Sequence, residues 1–229
     1  MGCAFCRTGR MGLTRNLSVS EIVGQVLAAR QRYGLELRNV VFMGMGEPLD
    51  NFNNVMQAAV VLADPQGLGI APRRMTLSTS GIGGGIEKLA DAPSPKPYLA
   101  VSLNAANDEL RTRLMPVNRG TPIGRLQEIL KCYPLRKKER ILIGYVLLRG
   151  VNDSRDHARE LAAYVRPLNH RVNVMAFNPA DDAPFEGPSP EEVDRFTGYL
   201  FSEGIFVRKR TPKGRHLMAA CGQLGKVEN

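Results

Sequence analysis

No stretch of about 18 consecutive apolar residues occurs among these 229 residues, so nothing reads as a membrane-spanning helix. The first residues, Met1-Gly-Cys-Ala-Phe-Cys-Arg7, offer cysteines and arginine where a secretory leader carries an apolar core, and no signal peptide is read. Cysteine is scarce: Cys3, Cys6, Cys132 and Cys221, without secretory context, argue for reduced, cytoplasmic thiols and against a disulfide framework. The histidines, His157, His170 and His216, have no metal-ligand spacing and are read as surface residues. Acids are outnumbered, 22 against 31 lysines and arginines, for a net charge of +9. That balance suits a polyanionic partner such as RNA, although a basic soluble enzyme has the same signature. Internal repeats and low-complexity tracts are also missing, and a 43% hydrophobic content suffices for one well-cored domain.

What is there is an alternation of helices and strands. Ser18–Tyr33 opens with a Ser18-x-x-Glu21 capping box, carries apolar residues at helical spacing and stops at Gly34. Further helices are expected over Asn53–Ala63, from Ser80-Gly81 to Leu89, over Asp108–Leu114 and Pro122–Cys132, from an Asn152-Asp153 cap to Val165, and over Pro190–Phe201. Between them, Asn39–Met43, Arg74–Ser78, Tyr98–Leu103, Ile141–Leu148 and Arg171–Phe177 read as strands, and Ile205–Arg208 as a short sixth. A basic, Gly-rich loop is expected after Cys6, and a long functional loop over Ala180–Pro190. Strands alternating with helices imply parallel βαβ units. Five good strands are too few for a closed eight-stranded barrel, so a partial barrel or an open sheet fits, with its site at the carboxyl ends of the strands.

Those ends carry a pattern. Gly46-Glu47 follows the first strand, Ser78-Thr-Ser-Gly81 the second, Ser102 and Asn104 the third, and Asn178 the Arg171–Phe177 strand. Loops are polar anyway, and each residue alone is explained by capping. Their recurrence after four strands points to a ligand cradle. A carboxylate for an ammonium, hydroxyls for a carboxylate or ribose, and an amide for an adenine edge together suit an amino acid joined to a nucleoside. Cys3 and Cys6, in C-x-x-C spacing, place two thiolates within reach of one metal centre, zinc or iron–sulfur.

Met43-Gly-Met-Gly-Glu-Pro-Leu49, Leu77-Ser-Thr-Ser-Gly81, Ser102-Leu-Asn-Ala105, Phe177-Asn-Pro179 and Ala219-Ala-Cys-Gly-Gln-Leu224 occur together and in that order. As a set they resemble the radical S-adenosylmethionine (SAM) enzymes that methylate C2 of an adenine in 23S ribosomal RNA, with their C8-methylating relatives. The likeness runs from Cys3 to Leu224. It implies an α/β fold, a partial TIM-type (β/α)6 radical SAM barrel lacking its first strand. Residues 1–229 are then a single truncated core domain, without the family's N-terminal RNA-binding domain and without the first of three cluster cysteines. Such a chain is expected to hold a cluster poorly and not to turn over.

Residue by residue, the resemblance makes Cys3 and Cys6 ligands of a 4Fe-4S cluster. It makes Gly46, Glu47, Ser78, Ser102, Leu103, Asn104 and Asn178 contacts of SAM, with Asn104 standing where the family commonly has histidine. Cys221 matches the cysteine that takes a methyl group from one SAM; a radical made from a second SAM then converts that methyl into the carbon delivered to adenine. The implied partners are 23S rRNA, also tRNA, and an external electron donor such as flavodoxin; the implied state is a cytoplasmic monomer. Arg136–Arg140 and Arg208–Arg215 are the densest basic runs and candidates for gripping RNA, or else solvated faces. The other readings are a different radical SAM enzyme, such as a C8-adenine methyltransferase or a tRNA modifier, and a non-catalytic RNA-binding remnant.

Overall fold

The computed structural model describes residues 1–94, 96–179 and 183–210. It contains α1 (Arg7–Arg10), α2 (Val19–Tyr33), β1 (Val40–Phe42), α3 (Phe52–Ala63), β2 (Met75–Thr79), α4 (Gly83–Asp91) and β3 (Tyr98–Ser102). There follow α5 (Asp108–Leu114), α6 (Ile123–Cys132), β4 (Ile141–Leu147), α7 (Arg155–Val165), β5 (His170–Ala176), α8 (Pro190–Ser202) and β6 (Val207–Lys209). The six strands form one sheet, all neighbours parallel, in the order β1-β2-β3-β4-β5-β6. This is the α/β, partial-barrel architecture expected above.

The unreversed strand order decides where the helices go. Right-handed crossovers between successive neighbours put every connecting helix on the same face of the sheet. That face is the dry one: Leu77, Val101, Ile143, Tyr145, Val172 and Val174 join the helix residues Leu62, Ile86, Leu126, Leu161 and Phe196 in one core. The alternate residues turn to the opposite, concave face. How far the sheet curls is shown by Arg210, just past β6, whose Nη1 donates to the Sδ of Met43, just past β1, at 3.3 Å. In a flat sheet the edge strands would be about 24 Å apart, five steps of about 4.8 Å. The two edges therefore approach at the carboxyl ends and bound a mouth.

Local signals set most boundaries. Ser18 and Glu21 form the capping box of α2, and Gly34 closes it in the left-handed conformation. Ser189 and Glu192 do the same at the start of α8. Two expectations change. The segment after Cys6 is a one-turn helix, α1, and not a loop. The cap of α7 is Ser154, in a capping box with His157, and not Asn152-Asp153. Asn152 is buried and used elsewhere, as described below. His157 and His170 are half-buried and bonded, His157 Nδ1 to Ser154 and His170 Nδ1 to the Leu168 carbonyl at 2.8 Å, so they are not plain surface residues. Cys132 ends α6 and is exposed. Among the described residues no helix is long and apolar enough to cross a membrane.

Candidate functional site at the barrel mouth

A second, smaller apolar cluster lies at the mouth. Val146, Leu148 and Phe177, at the ends of β4 and β5, meet Ala105, Leu110, Leu114 and Met115, and Phe5 is set among them. The Phe5 ring stands edge-on to Phe177, centroids 6.4 Å apart. Phe5 is the residue between the two cysteines, so burying it fixes the Cys3–Cys6 loop over the strand ends. Two backbone bonds complete the anchor: Ala4 N donates to the Leu114 carbonyl at 2.9 Å, and Cys6 N to the Cys3 carbonyl at 3.1 Å. Both cysteines pack against this cluster, half-buried. Burial, and then the nearby Cys6, push the Cys3 thiol up to about 11, against the pull of Arg111.

Glu47 is the hinge between the first two strand ends. Its Oε2 accepts from Ser80 N at 2.7 Å and Ser80 Oγ at 2.8 Å, and its Oε1 from Leu49 N at 3.1 Å. Gly46, one residue before, has φ +98° and is exposed, so only a glycine turns the chain there without strain. Ser80 in turn is held from behind. Its carbonyl accepts from Arg111 Nη2 at 2.7 Å, while Nη1 donates to Asn118 Oδ1 at 2.7 Å and Nε to the Leu103 carbonyl at 3.3 Å.

Arg111 is wholly buried, and burial pulls its pKa down. Its charge meets three neutral acceptors; the nearest acid in the network, Asp108, is reached through Asn118 Nδ2 at 2.7 Å. Gly81 makes room for it, since a Cβ at that position would lie 2.8 Å from Arg111 Nη2. Nothing in the sequence marks Arg111 as buried; the tight Gly81 after β2 is the sole local hint.

Ser78 and Asn178 are buried, Ser102 is half-buried, and Leu103 is buried in the main core. Asn104 is 2% exposed with φ +60°, and its amide is already engaged: Oδ1 accepts from Val146 N at 2.8 Å and Nδ2 donates to Met115 Sδ at 3.1 Å. What it can offer a ligand is its backbone, not the side chain. Asn152 is its counterpart, donating to the Asn104 and Val146 carbonyls at 2.8 Å each and accepting from Leu148 N at 2.7 Å. The two asparagines buckle the end of β3 to the end of β4. Asn178 differs from both. Its Nδ2 donates to the Ala176 carbonyl at 3.2 Å, but its buried Oδ1 has no partner. Orphaned buried acceptors are uncommon, and one at a strand end on a mouth is a place for a ligand donor. Cys221 lies outside the described residues.

Residues 1–162 match the radical SAM superfamily. The chain belongs to that superfamily. It is 46% identical over 234 residues to the dual-specificity RNA methyltransferase RlmN of Nitratidesulfovibrio vulgaris (strain DSM 19637 / Miyazaki F), covering 100% of this chain and 63% of that protein. To the protein of the same name from Syntrophotalea carbinolica it is 45% identical over 228 residues, covering 99% of this chain and 60% of the relative. A crystal structure of a radical SAM methyltransferase from Sphaerobacter thermophilus superposes with a TM-score of 0.92 at 45% identity, over 97% of this chain and 66% of that one. The chain thus spans somewhat less than two thirds of the length of the relatives it matches.

Radical SAM enzymes use a 4Fe-4S cluster and SAM, and the mouth fits both by its donors. Two soft thiols side by side suit iron–sulfur ligation. Among the described residues no cluster of three or more cysteine, histidine or acidic side chains forms a metal site, so these two thiols are the described contribution. The unpartnered Asn178 Oδ1 and the Glu47 carboxylate are polar groups at the strand ends with acceptor capacity to offer.

Proposed function

We propose that this chain is the catalytic core of a radical SAM RNA methyltransferase that places a methyl group on C2 of an adenine in 23S rRNA, and in tRNA, through Cys221. Its support is the likeness to RlmN proteins over the whole of this chain together with one observation: Phe5 clamps the Cys3–Cys6 loop onto the ends of β4 and β5, beside Asn178, with Cys3 near enough to feel the charge of Glu47. In this reading Cys3 and Cys6 hold two irons of the cluster, which when bound supplies the electron that splits SAM. Gly46 offers its carbonyl and Glu47 its carboxylate to the ammonium of SAM. Ser78 and Ser102 offer hydroxyls, Leu103 and Asn104 their backbone, and Asn178 Oδ1 an acceptor for an N–H or ribose O–H.

The pieces around these groups orient them. Ser80 aims the Glu47 carboxylate, and Arg111 holds Ser80 by its carbonyl. The apolar cluster of Val146, Leu148 and Phe177 lines the mouth beneath the cysteine loop and keeps water from the reacting atoms. Cys221 is assigned by its sequence setting alone. RNA, a low-potential donor such as flavodoxin, a cytoplasmic location, a monomeric state and the extent of the domain over 1–229 belong to the same reading.

Peptide mass spectrometry tests it on the full chain after incubation with iron, sulfide, a low-potential reductant and methyl-labelled SAM. Label on Cys221, absent from a Cys221→Ala variant, is expected; bound SAM without label on Cys221 would contradict the reading.

A further inference from the structure

Two arginines on the concave face of β5 and β6 have no acidic partner among the described residues. On β6, Val207 is part of the main core and Lys209 Nζ pairs with Asp194 of α8 at 2.5 Å, so both face the helices. Alternation turns Arg208 and Arg210 the other way, into the concavity. Register places Arg208 beside Asn173, Asn173 beside Gly144, and Gly144 beside Ser102. These four form one row across the inner face, with Arg208 at one end and a candidate SAM contact at the other.

Gly144 keeps that row low between Asn173 and Ser102: a Cβ there would rest in ordinary contact, 3.7 Å from Met175 Cε and from the Val101 carbonyl. Arg208 is exposed and has no ion-pair or side-chain hydrogen-bond partner among the described residues. Arg210, at the rim, touches the neutral sulfur of Met43 and has no acidic partner among the described residues. The other basic run lies at the opposite end of the sheet. Arg136 binds the buried Glu139 through Nε at 2.7 Å and lies over the Tyr98 ring, immediately before β4 begins. Residues 136–140 are therefore at the amino ends of the strands, a strand length of about 20 Å from the mouth.

We propose that Arg208 and Arg210 form a phosphate-binding rail on the inner face of the half-barrel. It takes consecutive backbone phosphates of a single-stranded RNA segment whose base enters the mouth toward Ser102. The inference rests on the reading of the chain as an RNA enzyme. Alternate residues on one strand are about 6.6 Å apart, which lets two guanidinium groups engage neighbouring phosphates separately. Furthermore, it assigns the RNA contact to the carboxyl-end run and removes it from residues 136–140.

The test is fluorescence anisotropy of a labelled, adenine-containing single-stranded RNA oligonucleotide on the full chain over a potassium chloride series. Loss of two phosphate contacts should lower the slope of log affinity against log salt by about 1.4, at about 0.7 per contact. Arg208→Gln with Arg210→Gln should show that drop. Arg208→Lys with Arg210→Lys should keep the slope, and Lys137→Gln with Lys138→Gln should leave it unchanged. An unaltered slope in the double Gln variant, or an equal drop in the Lys137/Lys138 variant, overturns the rail while sparing the RNA reading. Absence of RNA binding by the parent chain, with SAM still bound, overturns that reading and the rail together. Unchanged thermal melting of the Gln variant confirms that charge and not folding is being read.

Discussion

The two ends of this sheet treat their polar groups in opposite ways. At the amino ends one arginine is matched on the spot: Arg136 clasps Glu139, which is 4% exposed, and stacks on Tyr98. Lys96 lies over Tyr133 and caps the carbonyls of Leu89 and Ala90, Arg140 bonds the Asn169 amide, and Lys137 and Lys138 have no ion-pair partner among the described residues. At the carboxyl ends, groups are held in place but not used up. Glu47 is aimed by Ser80, Asn178 keeps a bare Oδ1, and Arg208 and Arg210 face the concavity. A buried Tyr133 hydroxyl without a partner is the exception at the amino end. The lesson is that basic residues are informative by what opposes them. Residues 136–140 and 208–210 look alike as strings of letters, each with one cation paired to an acid, and their places at opposite ends of the sheet separate them.

The comparison breaks hardest at Arg111. Arg111→Met leaves Ser80, Leu103 and Asn118 facing an apolar side chain, and should cost about 3–5 kcal/mol in urea unfolding, with SAM affinity falling as well. A loss below about 1 kcal/mol would mean that the strand ends are tied by something else. Next is Asn152→Ala, which strips the buckle from three buried backbone groups and should cost about 1–3 kcal/mol. At the other end, Arg136→Met should cost less than a fully buried pair, about 1–2 kcal/mol, because Arg136 is 40% exposed. Its sharper readout is SAM affinity, which should not move.

Smallest is the effect of acid on α2. The Arg15 hydrogen bond, then the Ser18 backbone and hydroxyl, hold the Glu21 carboxyl down to about 2. Its folded pKa lies below the unfolded one, so the support it gives is present at neutral pH and is lost as pH falls from about 4.5 toward about 2. Carboxyl NMR titration of Glu21 checks this, and a midpoint at the ordinary glutamate value would refute it.

Much of the scaffold was legible because it is written locally. Ser18, Glu21 and Gly34 bracket α2 within one helix length, and strands of β-branched residues alternate with helices throughout. The strand-end rule points to the carboxyl ends of the strands from the sequence alone. What escaped reading depends on distance along the chain. Asn152 looked like a cap because Asn-Asp before a helix normally is one, but its amide is drawn 48 residues away to Asn104. Arg111 reads as one more surface charge on a short helix; only the meeting of β2, β3 and the turn at Asn118 buries it. Asn104 was expected to face a ligand as a stand-in for histidine, and its side chain instead serves β4.

Amide hydrogen exchange of the full chain with and without SAM measures the central claim, that the carboxyl-end mouth is the cofactor cradle. Slowed exchange is predicted at residues 44–49, 78–82, 102–106 and 177–178, with 136–140 unchanged. Protection centred on 136–140, or bound SAM with no protection at the strand ends, would contradict the account.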